Sequence, residues 1–254
     1  MRFTKMHGLG NDYIYINGFE EKIENPNELA IQMSQEHFGV GADGLILILP
    51  SKAADFKMRM FNKDGREGAM CGNGARCIGK YVYEYGLTDQ TNFTLETGGG
   101  IREIYLEVET GNVQSVTVDM GAPLSLKVEE DKTFVCFGSN HVVLFTEEDP
   151  FTWEGFEKRG KALCEQYDAN IEFVQRITPN LLRMRVYERG SGETLACGSG
   201  ACAALVAAQV NSLSERSVTI NLRGGDLLID WRAEDGHVIM KGSAEIVFTG
   251  EWKR

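Results

Sequence analysis

Two short loops contain the residues in this sequence that are best suited to chemistry. The loops Cys71–Gly74 and Cys197–Gly200 share the pattern Cys-Gly-x-Gly, and they lie 126 positions apart. A thiol can ionise to a basic thiolate, and a neighbouring glycine lets a ligand approach the backbone N–H groups closely. A helix-like run follows each loop, and the first amides of a helix attract anions. Each loop therefore predicts an anion site beside a thiol whose pKa the helix end should lower.

The two loops belong to a longer internal repeat. With the same 126-residue shift, Met58-Arg59 falls on Met184-Arg185 without a gap. Self-similarity at half the length of the chain predicts a duplicated domain, not a many-unit solenoid. We therefore expect one half at residues 1–118 and another at residues 119–243, each carrying one cysteine loop.

Two thiols facing one carboxylate would suit one particular reaction. If the halves pack around a pseudo-twofold axis, one thiolate can take the hydrogen from a substrate's α-carbon while the other thiol returns a proton to the opposite face. Such a reaction needs no metal or pyridoxal if the helix ends stabilise the charge that spreads into the carboxylate. A single buried cysteine is more often a packing residue, which is our interpretation of the four other cysteines, Cys77, Cys136, Cys164 and Cys202.

The segment after the second loop constrains the fold. Residues 201–210 are apolar on nearly every side, so this helix must be surrounded by protein. Many short strands are available to surround it, and they include 45–49, 56–61, 101–108, 113–120, 171–177 and 181–187. Further helices are predicted at 26–37 and 150–166. We predict an α/β (α+β) protein of two pseudo-symmetric halves, each a mostly antiparallel sheet wrapped around a central helix.

Composition excludes several classes of partner. The chain has 254 residues, 43% of them hydrophobic and 25% charged, and a net charge of −11, which would repel the phosphate backbone of a nucleic acid. The first residues lack the apolar core of a signal peptide, and no apolar run approaches the roughly 18 residues of a membrane span. We expect a cytoplasmic protein with reduced thiols, no nucleic-acid partner and no membrane partner.

The cysteine spacing also bears on metal binding. The pairs Cys71/Cys77 and Cys197/Cys202 have the spacings Cys-x5-Cys and Cys-x4-Cys, without the tight Cys-x2-Cys of zinc knuckles. Glycines surround them in place of histidines or further cysteines. We therefore predict no metal site.

Five long motifs extend along nearly the whole chain: Lys5–Tyr13, Gly39–Gly44, Phe61–Cys77, Val186–Thr194 and Ala196–Cys202. In these strings the chain resembles the diaminopimelate epimerase family, cofactor-independent two-cysteine enzymes. The resemblance implies inversion of the α-carbon of LL-diaminopimelate to the meso isomer, in lysine and peptidoglycan-precursor biosynthesis. It also implies a homodimer, a small amino-acid substrate, and a final segment, residues 244–254, that returns to the first half.

The resemblance also implies roles for individual residues. Cys71 and Cys197 would be the acid–base pair, and the backbone amides of four residues, Gly72, Asn73, Gly198 and Ser199, would hold the reacting carboxylate. The far end of the substrate would be fixed by Asn11, Asn62, Asn170, Glu188 and Arg189. An arginine fork suits a carboxylate, and an asparagine side chain can serve a carboxylate or an ammonium group. Turn formation is an equally good explanation for the asparagines at 11 and 62.

Three departures from the family pattern leave the substrate open. Gly138–His141 reads Gly-Ser-Asn-His where the family usually has Gly-Asn-Pro-His, Tyr13 stands where phenylalanine is usual, and Glu172 stands where a neutral residue is more usual. Two alternatives to diaminopimelate epimerisation therefore remain. One is a related racemase or epimerase of another amino acid or a thioether analogue, and the other is a non-catalytic ligand-binding or thiol-redox protein.

Overall fold

The computed structural model of the protein describes residues 1–253. They form two compact units: Met1–Val118 together with the segment that starts at Ser243, and Asp119–Gly242. Within the described residues, the apolar stretches of the helices are all too short to cross a membrane.

The described residues contain four helices and eighteen strands. The helices are α1 (Pro26–Ser34), α2 (Gly72–Glu84), α3 (Phe156–Tyr167) and α4 (Gly198–Val210). The strands are β1 (Arg2–Gly8), β2 (Asn11–Asn17), β3 (Gly44–Leu49), β4 (Phe56–Asn62), β5 (Glu67–Gly68), β6 (Asn92–Thr97), β7 (Gly100–Glu109), β8 (Asn112–Asp119), β9 (Ser125–Val128), β10 (Thr133–Cys136), β11 (Asn140–Phe145), β12 (Asn170–Thr178), β13 (Leu181–Glu188), β14 (Gly192–Thr194), β15 (Ser217–Leu222), β16 (Gly225–Trp231), β17 (Val238–Gly242) and β18 (Glu245–Glu251).

The first unit is built on a sheet with the strand order β18-β1-β2-β3-β4-β6-β7-β8. Its pairings are antiparallel except for β2 with β3 and β4 with β6, and β5 adds a short antiparallel partner to β4. Helix α2 lies against this sheet so closely that a Cβ at Gly79 would be 2.9 Å from Val116 and 3.1 Å from Ile104. Glycine is therefore required where the helix crosses β7 and β8.

The second unit repeats this arrangement. Its order is β9-β10-β11-β12-β13-β15-β16-β17, antiparallel except for β11 with β12 and β13 with β15, and β14 pairs with β13. Helix α4 contacts strands across this sheet, and residues 201–208 are all completely buried. The predicted fold class, a mostly antiparallel sheet wrapped around a central helix in each half, is confirmed.

Two predicted helices have other limits in the structure. Helix α1 ends at Ser34 and not at His37, because His37 has a φ of 67° and the amides of Val40 and Gly41 bond to the carbonyl of Met33. Helix α3 begins at Phe156, because residues 149–152 form a turn closed by the Thr152 amide on the Asp149 carbonyl at 3.2 Å. Strand β9 has no predicted counterpart, since it has only four residues and all four side chains are exposed.

Candidate active site

Cys71 is the N-cap residue of helix α2. Its backbone is extended, with φ −133° and ψ 113°, and its half-buried Sγ accepts the Gly74 N–H at 3.3 Å. The Cys71 carbonyl accepts the Ala75 N–H at 2.8 Å, which is the first bond of the helix. By helix geometry, the two preceding amides, those of Gly72 and Asn73, have no partner within the helix. This N-terminus therefore offers a thiol beside two amides that can bind an anion.

The side chain of Asn11 connects Cys71 to a carboxylate. Asn11 begins β2, and its Oδ1 lies 3.4 Å from Cys71 Sγ and accepts the Asn73 side-chain N–H at 3.1 Å. Its Nδ2 donates to Asp43 Oδ2 at 2.8 Å. Burial raises the pKa of Asp43, opposed by the hydrogen bond from Asn11. Three predicted site residues of the first unit, Asn11, Cys71 and Asn73, thus form one hydrogen-bonded group.

Asn62 lies apart from that group. Its amide donates to the Arg66 carbonyl at 2.9 Å and its carbonyl accepts the Gly65 N–H at 2.8 Å, while its side chain is exposed. The backbone of Asn62 therefore forms a turn, as asparagine commonly does, and its side-chain amide faces solvent.

Cys197 occupies the same position in the second unit, as the N-cap of helix α4. Its backbone has φ −121° and ψ 112°, and its carbonyl accepts the Ala201 N–H at 2.9 Å. Unlike Cys71, this thiol accepts no capping hydrogen bond from the helix, and Ser199 Oγ lies 3.6 Å from Sγ. A Cβ at residue 200 would be 2.7 Å from Glu172 Oε1, so only glycine fits here. The amides of Gly198 and Ser199 are again left over at the helix start.

The electrostatic surroundings of Cys197 differ from those the helix start alone predicts. Burial raises the pKa of this thiol well above its ordinary value, and the neighbouring carboxylates of Glu188 and Glu172 raise it further. The sequence-based expectation of a lowered pKa is therefore wrong at Cys197, because burial and negative charge outweigh the helix amides. Burial likewise raises the pKa of Glu188, against hydrogen bonds from Thr194 and from Cys197 itself.

A buried hydrogen-bonded pair of side chains lies beside this thiol. His141 Nδ1 is 2.7 Å from Glu172 Oε1, and both side chains are inaccessible to solvent. The other polar atoms of the pair, His141 Nε2 and Glu172 Oε2, are buried without a hydrogen-bond partner. Ligand atoms of His141, Glu172 and Cys197 all lie within 4.8 Å of one another. These are residue types that bind zinc, although the imidazole–carboxylate bond already occupies two of them.

Asn170 and Arg189 form the second predicted group of this unit. Asn170 Oδ1 accepts the Arg189 backbone N–H at 2.9 Å, and only 8% of Asn170 is exposed. The Arg189 guanidinium pairs with Asp168 at 2.9 Å, where both side chains are largely in solvent. Asn170 therefore fixes the main chain from which the arginine projects.

The structure also reveals three residues that the sequence analysis did not assign to a site: Asp43, His141 and Glu172. His141 ends the altered motif Gly138–His141, and Glu172 is itself a departure from the family pattern. These departures were a sequence signal that could have pointed to both residues. Of the altered motif, Ser139 is exposed in the turn before β11 and Asn140 is exposed as the first residue of that strand, while His141 is buried. A charged residue inside the otherwise apolar start of β12 was the corresponding signal for Glu172.

Comparison with known proteins identifies the family. The family model described as diaminopimelate epimerase matches residues 3–125 and 133–247. Diaminopimelate epimerases of Acetivibrio thermocellus and Methanococcus maripaludis are 48% and 47% identical over 278 residues, covering 99% of this chain and 98% and 99% of theirs. A crystal structure of a hydroxyproline epimerase from Agrobacterium vitis, 16% identical, shares the fold with a TM-score of 0.77 over 98% of this chain and 91% of that chain. The chain belongs to the diaminopimelate epimerase family.

Proposed function

We propose that the protein is an isomerase that inverts the α-carbon of LL-diaminopimelate to give the meso isomer, using two cysteine thiols and no metal or pyridoxal. One observation carries the proposal. Cys71 and Cys197 are both helix N-caps with an extended backbone, and in each case at least two amides precede the residue whose N–H makes the first contact with the thiol or the helix. Membership in the diaminopimelate epimerase family supplies the substrate.

The α-carboxylate of the substrate is held, in this proposal, by backbone amides at the helix starts, those of Gly72, Asn73, Gly198 and Ser199. Removal of an α-hydrogen spreads negative charge into that carboxylate. Preorganised amides stabilise such charge without reorganising, which is the largest single contribution in many enzymes. The two helix starts thus take the place of an electron-withdrawing cofactor.

Proton transfer is divided between the thiols. One cysteine, as thiolate, removes the hydrogen from the α-carbon, and the other, as thiol, delivers a proton to the opposite face. The roles exchange in the reverse direction. The raised pKa of Cys197 suits both roles, because a thiol of high pKa keeps its proton until the carbanion needs it and its thiolate is a strong base.

The distal end of the substrate is bound by Asn11, Asn62, Asn170, Glu188 and Arg189 in this proposal. Arg189 has the best supported role. Its present partner, Asp168, is exposed, and an exposed ion pair contributes little free energy. A substrate carboxylate can replace it and use both arms of the guanidinium. Glu188 is suited to an ammonium group of the substrate.

The same proposal places the protein in lysine and peptidoglycan-precursor biosynthesis, in the cytoplasm, as a homodimer. The cysteines support the compartment, since none of the six is in a disulfide bond. The family resemblance is the support for the dimer.

The proposed reaction is tested by measuring deuterium incorporation and the change of configuration at the α-carbon in one experiment. The purified protein is incubated with LL-diaminopimelate in heavy water without added metal or pyridoxal, and deuterium at the α-carbon and the LL-to-meso ratio are measured. Cys71→Ser and Cys197→Ser should each lower epimerisation by about two orders of magnitude or more, because serine is a far weaker acid. Each variant should retain exchange with only one configuration, and the two variants with opposite ones.

Cys136→Ser is the matched control, because this half-buried thiol lies on β10 and has no assigned role. It should keep wild-type turnover. Near wild-type epimerisation by either catalytic-site variant would refute the two-thiol mechanism. A panel that includes other amino acids and a thioether analogue of diaminopimelate tests the substrate: faster exchange with one of these would support the related-epimerase alternative, and no exchange with any would support a non-catalytic protein.

A further inference from the structure

The orientation of the Asn11 amide decides which group faces the Cys71 sulfur. An amide presents either an oxygen acceptor or an N–H donor, and the hydrogen-bond network determines which. Asn11 Nδ2 donates to Asp43 Oδ2 at 2.8 Å, so Oδ1 is directed to Cys71 Sγ at 3.4 Å. The Asn73 side-chain N–H donates to the same oxygen at 3.1 Å, which agrees with this orientation.

A carbonyl oxygen facing sulfur distinguishes the two protonation states of the thiol. It accepts a hydrogen bond from the S–H, but it repels a thiolate, because both groups are acceptors. The Gly74 amide, which donates to Sγ at 3.3 Å, has the opposite effect and favours the thiolate, as does the helix start. These groups therefore act on the proton affinity of Cys71 in opposite directions.

Asp43 is held firmly enough to impose the amide orientation. Its backbone N–H donates to the Asp12 carbonyl at 2.9 Å, and its carbonyl accepts the Lys63 N–H at 2.9 Å. Its Oδ2 also accepts the Asp12 backbone N–H at 3.3 Å. The next residue, Gly44, has no room for a side chain, since a Cβ would be 2.0 Å from the Phe61 carbonyl oxygen. The Asp43 carboxylate thus has a fixed position facing Asn11.

We propose that Asp43 is a positioning residue that, through Asn11, keeps the proton on the Cys71 sulfur in the free protein. The proposal rests on the proposed acid–base role of Cys71. A reversible reaction in which two thiols exchange roles is fastest when neither holds its proton much more tightly than the other. Burial and two carboxylates raise the proton affinity of Cys197, and the Asp43–Asn11 pair raises that of Cys71 against its helix start.

Other titratable groups near Cys71 in its unit should not produce the same shift in the proton affinity of Cys71. Tyr15 and Cys77 interact with the Cys71 charge, but burial raises the pKa of Tyr15 well above its ordinary value and that of Cys77 to about 12, so both stay neutral through pH 9. Asp12, beside Asn11, pairs with Lys5 at 2.6 Å and does not bond the Asn11 side chain. Lys63 interacts electrostatically with Asp43 and is unchanged in every variant below.

The experiment measures the alkylation of Cys71 by iodoacetamide in the full-length protein from pH 6 to 10, resolved by peptide mass spectrometry. In Asp43→Asn one negative charge is lost, and the carboxylate that holds the Asn11 N–H becomes a neutral amide, which weakens the hold on the Asn11 orientation although the Asn73 N–H still donates to Oδ1. Both changes favour the thiolate, so the midpoint should fall by about one pH unit, which is about a tenfold larger thiolate fraction at pH 7. Asp12→Asn is the matched control, because it removes the same charge from a neighbouring residue and leaves the Asn11 side chain bonded. It should shift the midpoint by less than a third as much.

A midpoint in Asp43→Asn that is unchanged, raised or equal to that of Asp12→Asn would overturn the proposal. Asn11→Ala provides a second test if Asp43→Asn folds poorly: with the oxygen gone and Asp43 intact, the midpoint should still fall. Alkylation does not require epimerase activity, so the two proposals fail separately. A shifted midpoint in a protein that epimerises no amino acid would refute the proposed function alone, and an unshifted midpoint in an active epimerase would refute the role of Asp43 alone.

Discussion

The buried pair of His141 and Glu172 should make a large and strongly coupled contribution to the stability of the second unit. His141→Leu removes one partner at nearly constant volume and leaves the Glu172 carboxylate buried with both oxygens unpaired. Breaking a buried pair in this way typically costs about 3–5 kcal/mol.

A double variant at His141 and Glu172 measures the interaction between the two side chains separately from the interactions that each makes with other residues. Glu172→Met replaces the carboxylate with an unbranched side chain, which suits the narrow space beside Gly200, and should cost about 1–3 kcal/mol by leaving the imidazole unpaired. Replacing both residues substitutes an apolar pair for a hydrogen-bonded one, which is often nearly neutral. The two single losses together should therefore exceed the loss in the double variant by about 4–8 kcal/mol.

Urea unfolding followed by tryptophan fluorescence is a suitable assay. Trp153 packs edge-on against Phe173, with ring centroids 5.2 Å apart, and Phe173 is the neighbour of Glu172 on β12. The exposed pair Arg183–Asp149 is the control, because it also measures 2.7 Å but about a third of each side chain is accessible. Its coupling should stay below about 1 kcal/mol. Single losses at His141 and Glu172 that simply add, or a coupling no larger than that of the control, would refute the reasoning.

Three further outcomes are expected. Glu188→Gln should stabilise the protein at pH 7 and not at pH 4. Burial raises the folded-state pKa of Glu188, so the native carboxyl group contributes stability below its unfolded pKa, and that contribution is lost as the pH rises through the folded pKa. Equal stability of the variant and the wild type at pH 7 would contradict this. Arg189→Lys should raise KM for diaminopimelate about tenfold with little change in kcat, because an ammonium group cannot make the two parallel bonds of a guanidinium. Steady-state kinetics measure both constants, and a loss confined to kcat would argue against a role of Arg189 in binding the distal carboxylate. Peroxide should abolish epimerisation and reductant should restore it, and mass spectrometry of the oxidised protein should find a peptide that links Cys71 to Cys197. Full activity after peroxide treatment would count against two thiols that act on one carbon.

Much of the fold follows from local sequence, because the signals involved span only a few residues. The uniformly apolar run after Cys197 predicts a helix enclosed by protein, and residues 201–208 are fully buried. The limits of α1 and α3 depend on more than periodicity, and the structure corrects both. At His37 a left-handed backbone conformation ends the helical segment early, and at residues 149–152 a turn delays it.

The chemistry of the two cysteine loops is likewise local, and the sequence by itself determined it: a cysteine followed by Gly-x-Gly at a helix start gives a thiol beside free amides. The partners of those thiols are not local. Glu172 reaches His141 because β11 and β12 pair in parallel with His141 opposite Asn170, and Asp43 reaches Asn11 because β2 and β3 pair in parallel with Tyr13 opposite Gly44. Strand pairing brings together residues about thirty positions apart that no spacing rule connects. Only the tertiary structure therefore decided that burial and carboxylates raise the pKa of Cys197, where the helix start alone predicts the opposite.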